Sequence, residues 1–284
     1  MTRVDVRKTY KLYIGGAFPR SESGRSYPVT GAAGEVLAHA AKASRKDARD
    51  AVVAARKAFP GWSGATAYNR GQVLYRVAEL LEGRAAQFAA EVADAEGQDG
   101  AAQRVDAAID RWVHYAGWTD KIAQVVGGAN PVAGPYFNLS VPEPTGVVAV
   151  LAPQNSSLLG LISVIAPVLA GGSTCVVVTS EQRPLPAVTL AEVLATSDVP
   201  GGVVNILTGV TAEIAPWLAE HGDVNGIDLC GAGTQSADLE RGAAGTVKRV
   251  LPAPAAEPEW TLDPGLARIT AWLETKTVWH PMGV

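Results

Sequence analysis

Few side chains in this chain could carry out covalent chemistry. It has two cysteines, Cys175 and Cys230, and both fall in short apolar segments that predict buried strands. A buried thiol stays protonated and packs as a small apolar group, so we interpret both as structural, with a reactive Cys230 as the alternative. Two acids, Glu257 and Glu259, stand in a proline-rich stretch that gives no reason to hold them in place, and we expect both to be solvated.

Composition and charge exclude several classes of function. The chain has 284 residues, of which 48% are hydrophobic and 18% charged, and a net charge of −4, as is typical of a globular protein with one large or two modest domains. It has no basic run, so we expect no binding to nucleic acid or to an anionic membrane. The longest apolar run, Leu158 to Ala170, is too short to cross a bilayer. The lack of a disulfide framework favours a reducing cytoplasm, and no metal site is predicted.

The elements that must position any site lie between Gly146 and Gly231. Short apolar runs alternate there with longer segments of helical spacing, beginning and ending on a strand. The predicted strands are Val147–Leu151, Thr174–Val178, Val203–Leu207 and Ile227–Cys230, and the first two predicted helices are Leu158–Ala170 and Pro186–Thr196. Strands that are apolar throughout are buried on both faces, and helical crossovers make them parallel. We therefore predict an α/β fold with a Rossmann-like, doubly wound parallel sheet.

The N-terminal part is predicted to be mainly helical. Tyr10–Phe18 predicts a strand pair that turns at its two glycines, and Val36–Ala40 predicts another strand. Ser44, with Asp47 three residues later, predicts a capped helix that ends at Pro60. Three further helices are predicted from apolar stripes that we assign to the core. These stripes are Val73, Val77, Leu80 and Leu81; Phe88, Ala89, Val92 and Ala93; and Val105, Ala108, Ile109 and Trp112.

Two segments break the helical pattern. Within residues 126–145 the pattern is not helical, and Phe137–Val141 alternates as a strand does. Residues 251–265 contain four prolines and no period, so they predict a linker or an extended crossing segment. A short helix, Leu266–Leu273, and a strand, Thr275–Trp279, are predicted to follow.

The stretch PTGVVAVLAPQNSSLLGLISVIAPVLAGGSTCVVVTSEQRPLPAVTLAEVL resembles the cofactor-binding half of an aldehyde dehydrogenase. Members of that family read PxGVxxxIxPWNxP, then APALAAGNTVVxKPSExTP, then PxGVxNxVTG. YKLYIGGAF near the start and ETKTVWHP near the end are also similar to the family. The resemblance implies a cofactor-binding domain from residues 1–125 and 146–250, an oligomerisation hairpin and C-terminal strand from 126–145 and 266–284, and a Pro/Ala-rich linker, 251–265, in place of the catalytic domain.

The resemblance does not extend to the catalytic groups. The family's GQxC motif, which carries the nucleophilic thiol, is absent, and Cys230 stands where the family usually has Thr before Gly. Ala253 stands at the position of the general base, the Glu of LELGGKSP. The oxyanion Asn of PWN is kept as Asn155, but without a nucleophile it has nothing to stabilise, and a helix N-cap or turn role is the alternative. We therefore assign no catalytic residue.

The cofactor positions are only partly kept. The residues that match the family's cofactor motifs are Pro153, Asn155, Ser180, Glu181, Gly209 and Gly231. Val178 replaces the Lys of KPSE that meets the ribose hydroxyls, and Val donates no hydrogen bond. Thr211 and Ala215 replace two glycines of the TGxGxxxG turn, where a Cβ crowds a dinucleotide. Ala232 and Ser236 replace the first Ser and last Gly of GSTEVG. The resemblance thus implies that no cofactor is required and that any binding of NAD or NADP is weak or vestigial.

The family's assembly strands are kept. The resemblance implies that Phe137–Val141 and Thr275–Trp279 join subunits, the C-terminal strand by backbone pairing with a neighbour. The alternative is that this strand folds back on the chain's own hairpin. Our leading hypothesis is a non-catalytic (pseudoenzyme) subunit that assembles with itself or with a full-length aldehyde dehydrogenase. The alternatives are an active NAD(P)-dependent aldehyde oxidoreductase and a nucleotide-sensing regulator.

Overall fold

The computed structural model describes residues 8–31 and 34–283; residues 1–7, 32–33 and 284 of the predicted domains lie outside this part. The helices are α1 (Arg45–Gly64), α2 (Ala67–Glu82), α3 (Ala85–Glu96), α4 (Ala101–Trp118), α5 (Ile122–Val126), α6 (Leu159–Ala170), α7 (Leu185–Thr196), α8 (Thr211–Glu220), α9 (Ser236–Ala244) and α10 (Ala267–Thr270). The strands are β1 (Ser26–Thr30), β2 (Val36–Ala41), β3 (Gly128–Asn130), β4 (Tyr136–Pro144), β5 (Val147–Leu151), β6 (Thr174–Val178), β7 (Val204–Leu207), β8 (Gly226–Asp228), β9 (Arg249–Leu251) and β10 (Leu273–Pro281).

A five-stranded parallel sheet in the order β7-β6-β5-β8-β9 forms the centre, as predicted. Its side chains alternate between two cores: Val148 and Val150 face one, and Val147 and Ala149 face the other. Helices α2, α3, α4, α6 and α7 contribute to the first core, and α1, α8 and α9 contribute to the second. The fifth strand, β9, was not predicted, because three residues with a mixed pattern give no signal.

The fourth strand is shorter than predicted. It ends at Asp228, so Cys230 lies in the loop that follows and not in a strand. Asp228 Oδ1 accepts a hydrogen bond from the main-chain N–H of Cys230 at 3.0 Å, which turns the backbone away from the sheet.

Helix α1 begins as predicted but ends later. Ser44 and Asp47 form the predicted capping box. Instead of ending at Pro60, the helix continues to Gly64. A proline inside a helix costs about 3 kcal/mol. The turn beyond it is stabilised by the buried Trp62, whose indole N–H donates to the Leu169 carbonyl at 3.1 Å.

A second, three-stranded antiparallel sheet has the order β10-β4-β3. Strand β10 pairs with β4 along its whole length, from Leu273 with Pro144 to Pro281 with Tyr136. The C-terminal strand therefore folds back on this chain's own hairpin, the alternative left open above, and its outer edge is unpaired within the described residues. The helix predicted before this strand, Leu266–Leu273, is only the single turn α10 in the structure, because Leu273 already belongs to β10.

The predicted turn in the N-terminal strand pair is present, although the pairing is limited to isolated bridges. Ile14 and Ala17 exchange backbone hydrogen bonds around Gly15 and Gly16, and Tyr13 pairs with Ile206 at the edge of the central sheet. In the part of the chain that the structure describes, no helix is long and apolar enough to span a bilayer.

Candidate functional site

The strand order reverses between β5 and β8, and in a doubly wound sheet ligands bind at the carboxyl ends of the strands at such a point. The loops that meet there are Ala152–Asn155 after β5 and Leu229–Gly231 after β8. They touch directly: a Cβ at Gly231 would lie 1.9 Å from the Ala152 carbonyl oxygen. Only glycine fits there, so Gly231 serves the contact between the two loops.

Asn155 does not cap the helix that follows it. Helix α6 begins at Leu159, and its free N–H at Gly160 is satisfied by the Ser156 hydroxyl at 2.8 Å. The N-cap alternative for Asn155 is therefore wrong, and the residue lies exposed in the turn while Pro153 is buried. The main-chain N–H of Asn155 donates to Glu257 Oε2 at 3.1 Å.

Ser180 and Glu181 hold neighbouring loops together. The buried Ser180 hydroxyl donates to the Gln154 carbonyl at 2.9 Å and accepts from the Arg183 N–H at 3.2 Å. The Glu181 carboxylate accepts at 2.7 Å from the N–H of Thr211, the first residue of α8. A helix N-terminus attracts an anion, and here the chain's own carboxylate provides it.

The turn before α8 is tight. Gly209 has φ +142°, and a Cβ there would lie 3.1 Å from the Ala43 nitrogen, so the position requires glycine. Thr211 is 5% exposed, and its hydroxyl has no hydrogen-bond partner among the described residues. Val178 is fully buried in the second core, where it offers no donor to a ribose.

Neither thiol is a nucleophile at neutral pH. Burial raises the pKa of Cys175 far above its usual value. Burial first, and the nearby Asp228 carboxylate second, raise the pKa of Cys230 to about 12. Since the thiolate is the reactive form, these shifts disfavour a nucleophilic role for either cysteine; Cys175 is buried as predicted, whereas Cys230 is only partly buried.

The two acids of the proline-rich segment differ. Glu259 is exposed and accepts only from the main chain and hydroxyl of Thr261. Glu257 was expected to be solvated, and this is wrong. Its second oxygen accepts at 3.1 Å from the indole N–H of Trp260, in addition to the Asn155 contact. Ala253 packs against the second core and has no group that accepts a proton.

A buried ion pair at this point was missed. Asp228, at the carboxyl end of β8, is fully buried, and its Oδ2 lies 2.6 Å from Nη1 of Arg268 on α10. Burial is the largest influence on the pKa of Arg268 and lowers it, but Asp228 together with the nearby Cys230 and Tyr115 raises the pKa of the guanidinium overall. An acid inside the run Ile227–Leu229 was the available signal, because a carboxylate in a buried strand needs a partner.

Together these contacts do not fit a dinucleotide. The anion position at the start of α8 is taken by Glu181, the Asn155 N–H is taken by Glu257, and Arg268 covers the end of β8. Val178 adds no donor. In the arrangement that the structure shows, several polar groups at the crevice are already paired within the chain.

Both faces of the three-stranded sheet expose apolar side chains: Tyr136 and Trp279 lie on one face, and the other also carries Lys276 and His280. Paired residues share a face, which places Phe137, Leu139, Val141 and Val278 together on one side. Three of these side chains are exposed by 38–47%. The opposite side carries a polar network in which Asn130 donates to Ser140, and Ser140 contacts Thr277 at 2.9 Å.

Comparisons with known proteins agree with the resemblance read from the sequence. A model described as "Aldehyde dehydrogenase family" matches residues 19–253. The chain is 35% identical over 252 residues to 2-hydroxymuconic semialdehyde dehydrogenase of Pseudomonas sp. strain CF600, covering 86% of this chain and 51% of that protein. It is 36% identical over 232 residues to aldehyde dehydrogenase family 2 member B4 of Arabidopsis thaliana, covering 78% and 42%.

Solved structures give the same result. An aldehyde dehydrogenase from Bacillus cereus, in a complex with NAD+, superposes with a TM-score of 0.81 at 28% identity over 86% of this chain and 50% of that chain. HpcC from Thermus thermophilus gives 0.81 at 31% identity, covering 86% and 48%. The chain thus spans about half the length of the relatives that it matches, and residues 254–283, with strand β10, lie beyond the matched range.

Proposed function

Since the chain belongs to the aldehyde dehydrogenase family, we propose that it is a non-catalytic subunit that assembles with itself or with a full-length aldehyde dehydrogenase. The observation that carries this proposal is the contrast between a crevice whose polar groups are partly paired within the chain and a sheet that leaves apolar side chains uncovered. Its cysteine usage favours the cytoplasm as its compartment.

The state of the catalytic groups supports the non-catalytic part of the proposal. Aldehyde oxidation through a thioester needs a thiolate and a base. Cys230 has a pKa of about 12, and Ala253 cannot accept a proton. Glu257 accepts hydrogen bonds from the Asn155 N–H and the Trp260 indole, and its charge adds to the rise in the pKa of Cys230.

The three-stranded sheet supports the assembly part. Phe137, Val141 and Val278 are exposed together on one face of the sheet, and Trp279 is 58% exposed on the opposite face. Strand β10 also presents an edge that is unpaired in the described part of the chain. An exposed apolar face and an open strand edge are what a partner strand or sheet covers.

Two alternatives rest on the likeness to a relative solved with NAD+. One is an active NAD(P)-dependent aldehyde oxidoreductase, and the other is a nucleotide-sensing regulator. The paired polar groups of the crevice favour neither, and they support at most weak binding of NAD or NADP.

An activity assay separates these readings. The purified chain is incubated with NAD or NADP and a panel of aliphatic and aromatic aldehydes, and NADH or NADPH formation is followed by absorbance. We expect no rate above that of the Cys230→Ser variant. A rate that depends on Cys230 would contradict the proposal, whereas a nucleotide-dependent rise in Tm without turnover would favour the sensing role.

A further inference from the structure

Residues 252–272, which cross from β9 to β10, are here called the strap. We propose that the strap is a built-in occupant of the crevice between β5 and β8 and keeps it closed to dinucleotides. This role rests on the proposed function, because it names what closes the same crevice. It adds that the crevice is closed by a defined segment rather than by the substitutions in the crevice alone.

The first anchor of the strap is Glu257. One of its oxygens accepts from the Asn155 N–H and the other from the Trp260 indole, both at 3.1 Å. The carboxylate thus takes the Asn155 N–H, a main-chain donor just before α6 that would otherwise face a ligand.

The second anchor is Trp260, which is 8% exposed. Its indole lies against the first turn of α6, where a Cβ at Gly160 would lie 2.9 Å from Trp260 Nε1. From the other side, Arg111 of α4 donates to the main-chain carbonyls of Trp260 and Leu262 at 2.5 and 2.9 Å. The strap is therefore held by its backbone as well as by its side chains.

The third anchor is the buried Asp228–Arg268 pair at the end of β8. The Arg268 guanidinium also lies 5.3 Å from the centre of the Trp260 ring. A single cation thus links the second and third anchors. The strap is thus attached through Glu257 to the loop after β5 and through Arg268 to the end of β8, so it crosses the whole width of the crevice.

A dinucleotide would have to displace these contacts before it could bind. If only a small fraction of molecules has the strap released, the apparent Kd rises by the inverse of that fraction. Weakening an anchor should then raise both the exchange of the covered amides and the affinity for NAD.

The test compares two variants of the strap by hydrogen exchange and by calorimetric titration with NAD. Glu257→Ala removes the first anchor. Glu259→Ala, two residues away, removes an exposed carboxylate that contacts only Thr261 and serves as the matched control. We expect Glu257→Ala to speed exchange in residues 155–160 by about tenfold and to strengthen NAD binding by a similar factor, while the control changes neither.

The third anchor is tested by the double variant Asp228→Asn with Arg268→Met, which removes both charges and so leaves none buried alone. It should show the same two changes. Three outcomes would each overturn the strap's role. The first is unchanged exchange in both variants, and the second is faster exchange without tighter NAD binding. The third is micromolar NAD binding by the unaltered chain while the strap is still protected from exchange. None of these outcomes bears on native mass, so the assembly proposal would stand or fall separately.

Discussion

In the crevice at β5 and β8 the chain pairs several of its own polar groups, whereas the sheet β10-β4-β3 leaves apolar side chains and a strand edge uncovered in the described part of the chain. Glu257, Glu181 and Arg268 each take a donor or an acceptor that a ligand would use. On the sheet, Phe137 and Val278 stay exposed, and the outer edge of β10 is unpaired in the described part of the chain. The difference predicts that substitutions in the crevice change folding stability, and that those on the sheet change assembly.

The largest effect should come from Arg268→Ala. It leaves Asp228 fully buried without its partner, so the free energy of unfolding should fall by about 3–5 kcal/mol in chemical denaturation. The matched control is Arg249→Ala, which breaks an exposed pair with Glu274 and should change stability by less than about 0.5 kcal/mol. Equal losses from the two variants would contradict the buried anchor.

Cys230 should react very slowly with iodoacetamide. With a pKa of about 12 against a usual value of 9.0, its thiolate fraction at pH 8 is about a thousandfold smaller, and the alkylation rate should fall in proportion. The denatured chain supplies the reference rate. If the native protein reacts as fast as the denatured chain, Cys230 is again a candidate nucleophile.

Val278→Asp should act on assembly and not on stability. It places a charge on the exposed apolar face, so any interface that covers this face should weaken by about a hundredfold, seen as a fall in native mass on dilution. Thr275→Asp introduces the same charge on the opposite face of the same strand and should leave the mass unchanged. A Tm that shifts equally in both variants with no change of mass would contradict the division between the two regions.

The smallest effect is expected from Glu181→Ala. The variant removes the acceptor at the start of α8 and should cost about 1 kcal/mol in the free energy of unfolding. Glu213→Ala, in the same helical turn, breaks only an exposed contact with Lys42 and should cost less than half of that. If the two losses are equal, the Glu181 carboxylate is not the cap.

The sequence predicts the fold better than the site because the two depend on different kinds of pattern. Strands β5 and β6 were predicted to the residue, since an apolar run bounded by turn residues is a local signal. The strap contacts join Asn155 to Glu257 and Asp228 to Arg268, which are far apart in sequence and share no period. A proline-rich composition indicated an extended segment but not what it would pack against, so Glu257 was wrongly expected to be solvated.

Residues that depend on a neighbour's position were mispredicted for the same reason. Helix α1 passes Pro60 because Trp62 finds a buried acceptor on α6. Asn155 was a candidate cap, but the Ser156 hydroxyl, one residue later, accepts the hydrogen bond from the Gly160 N–H at the start of α6. Local propensity sets the default at each position, and a tertiary contact can outweigh it.

The measurement that tests the central claim most directly is native mass by light scattering, on the pure chain alone and after mixing with a purified full-length aldehyde dehydrogenase. The account predicts either a defined multiple of 29.4 kDa for the chain alone or a single mixed species with the full-length protein. A monomer of 29.4 kDa in both samples, at concentrations up to about 100 μM, would show that the exposed face of the sheet recruits neither partner and would contradict the account.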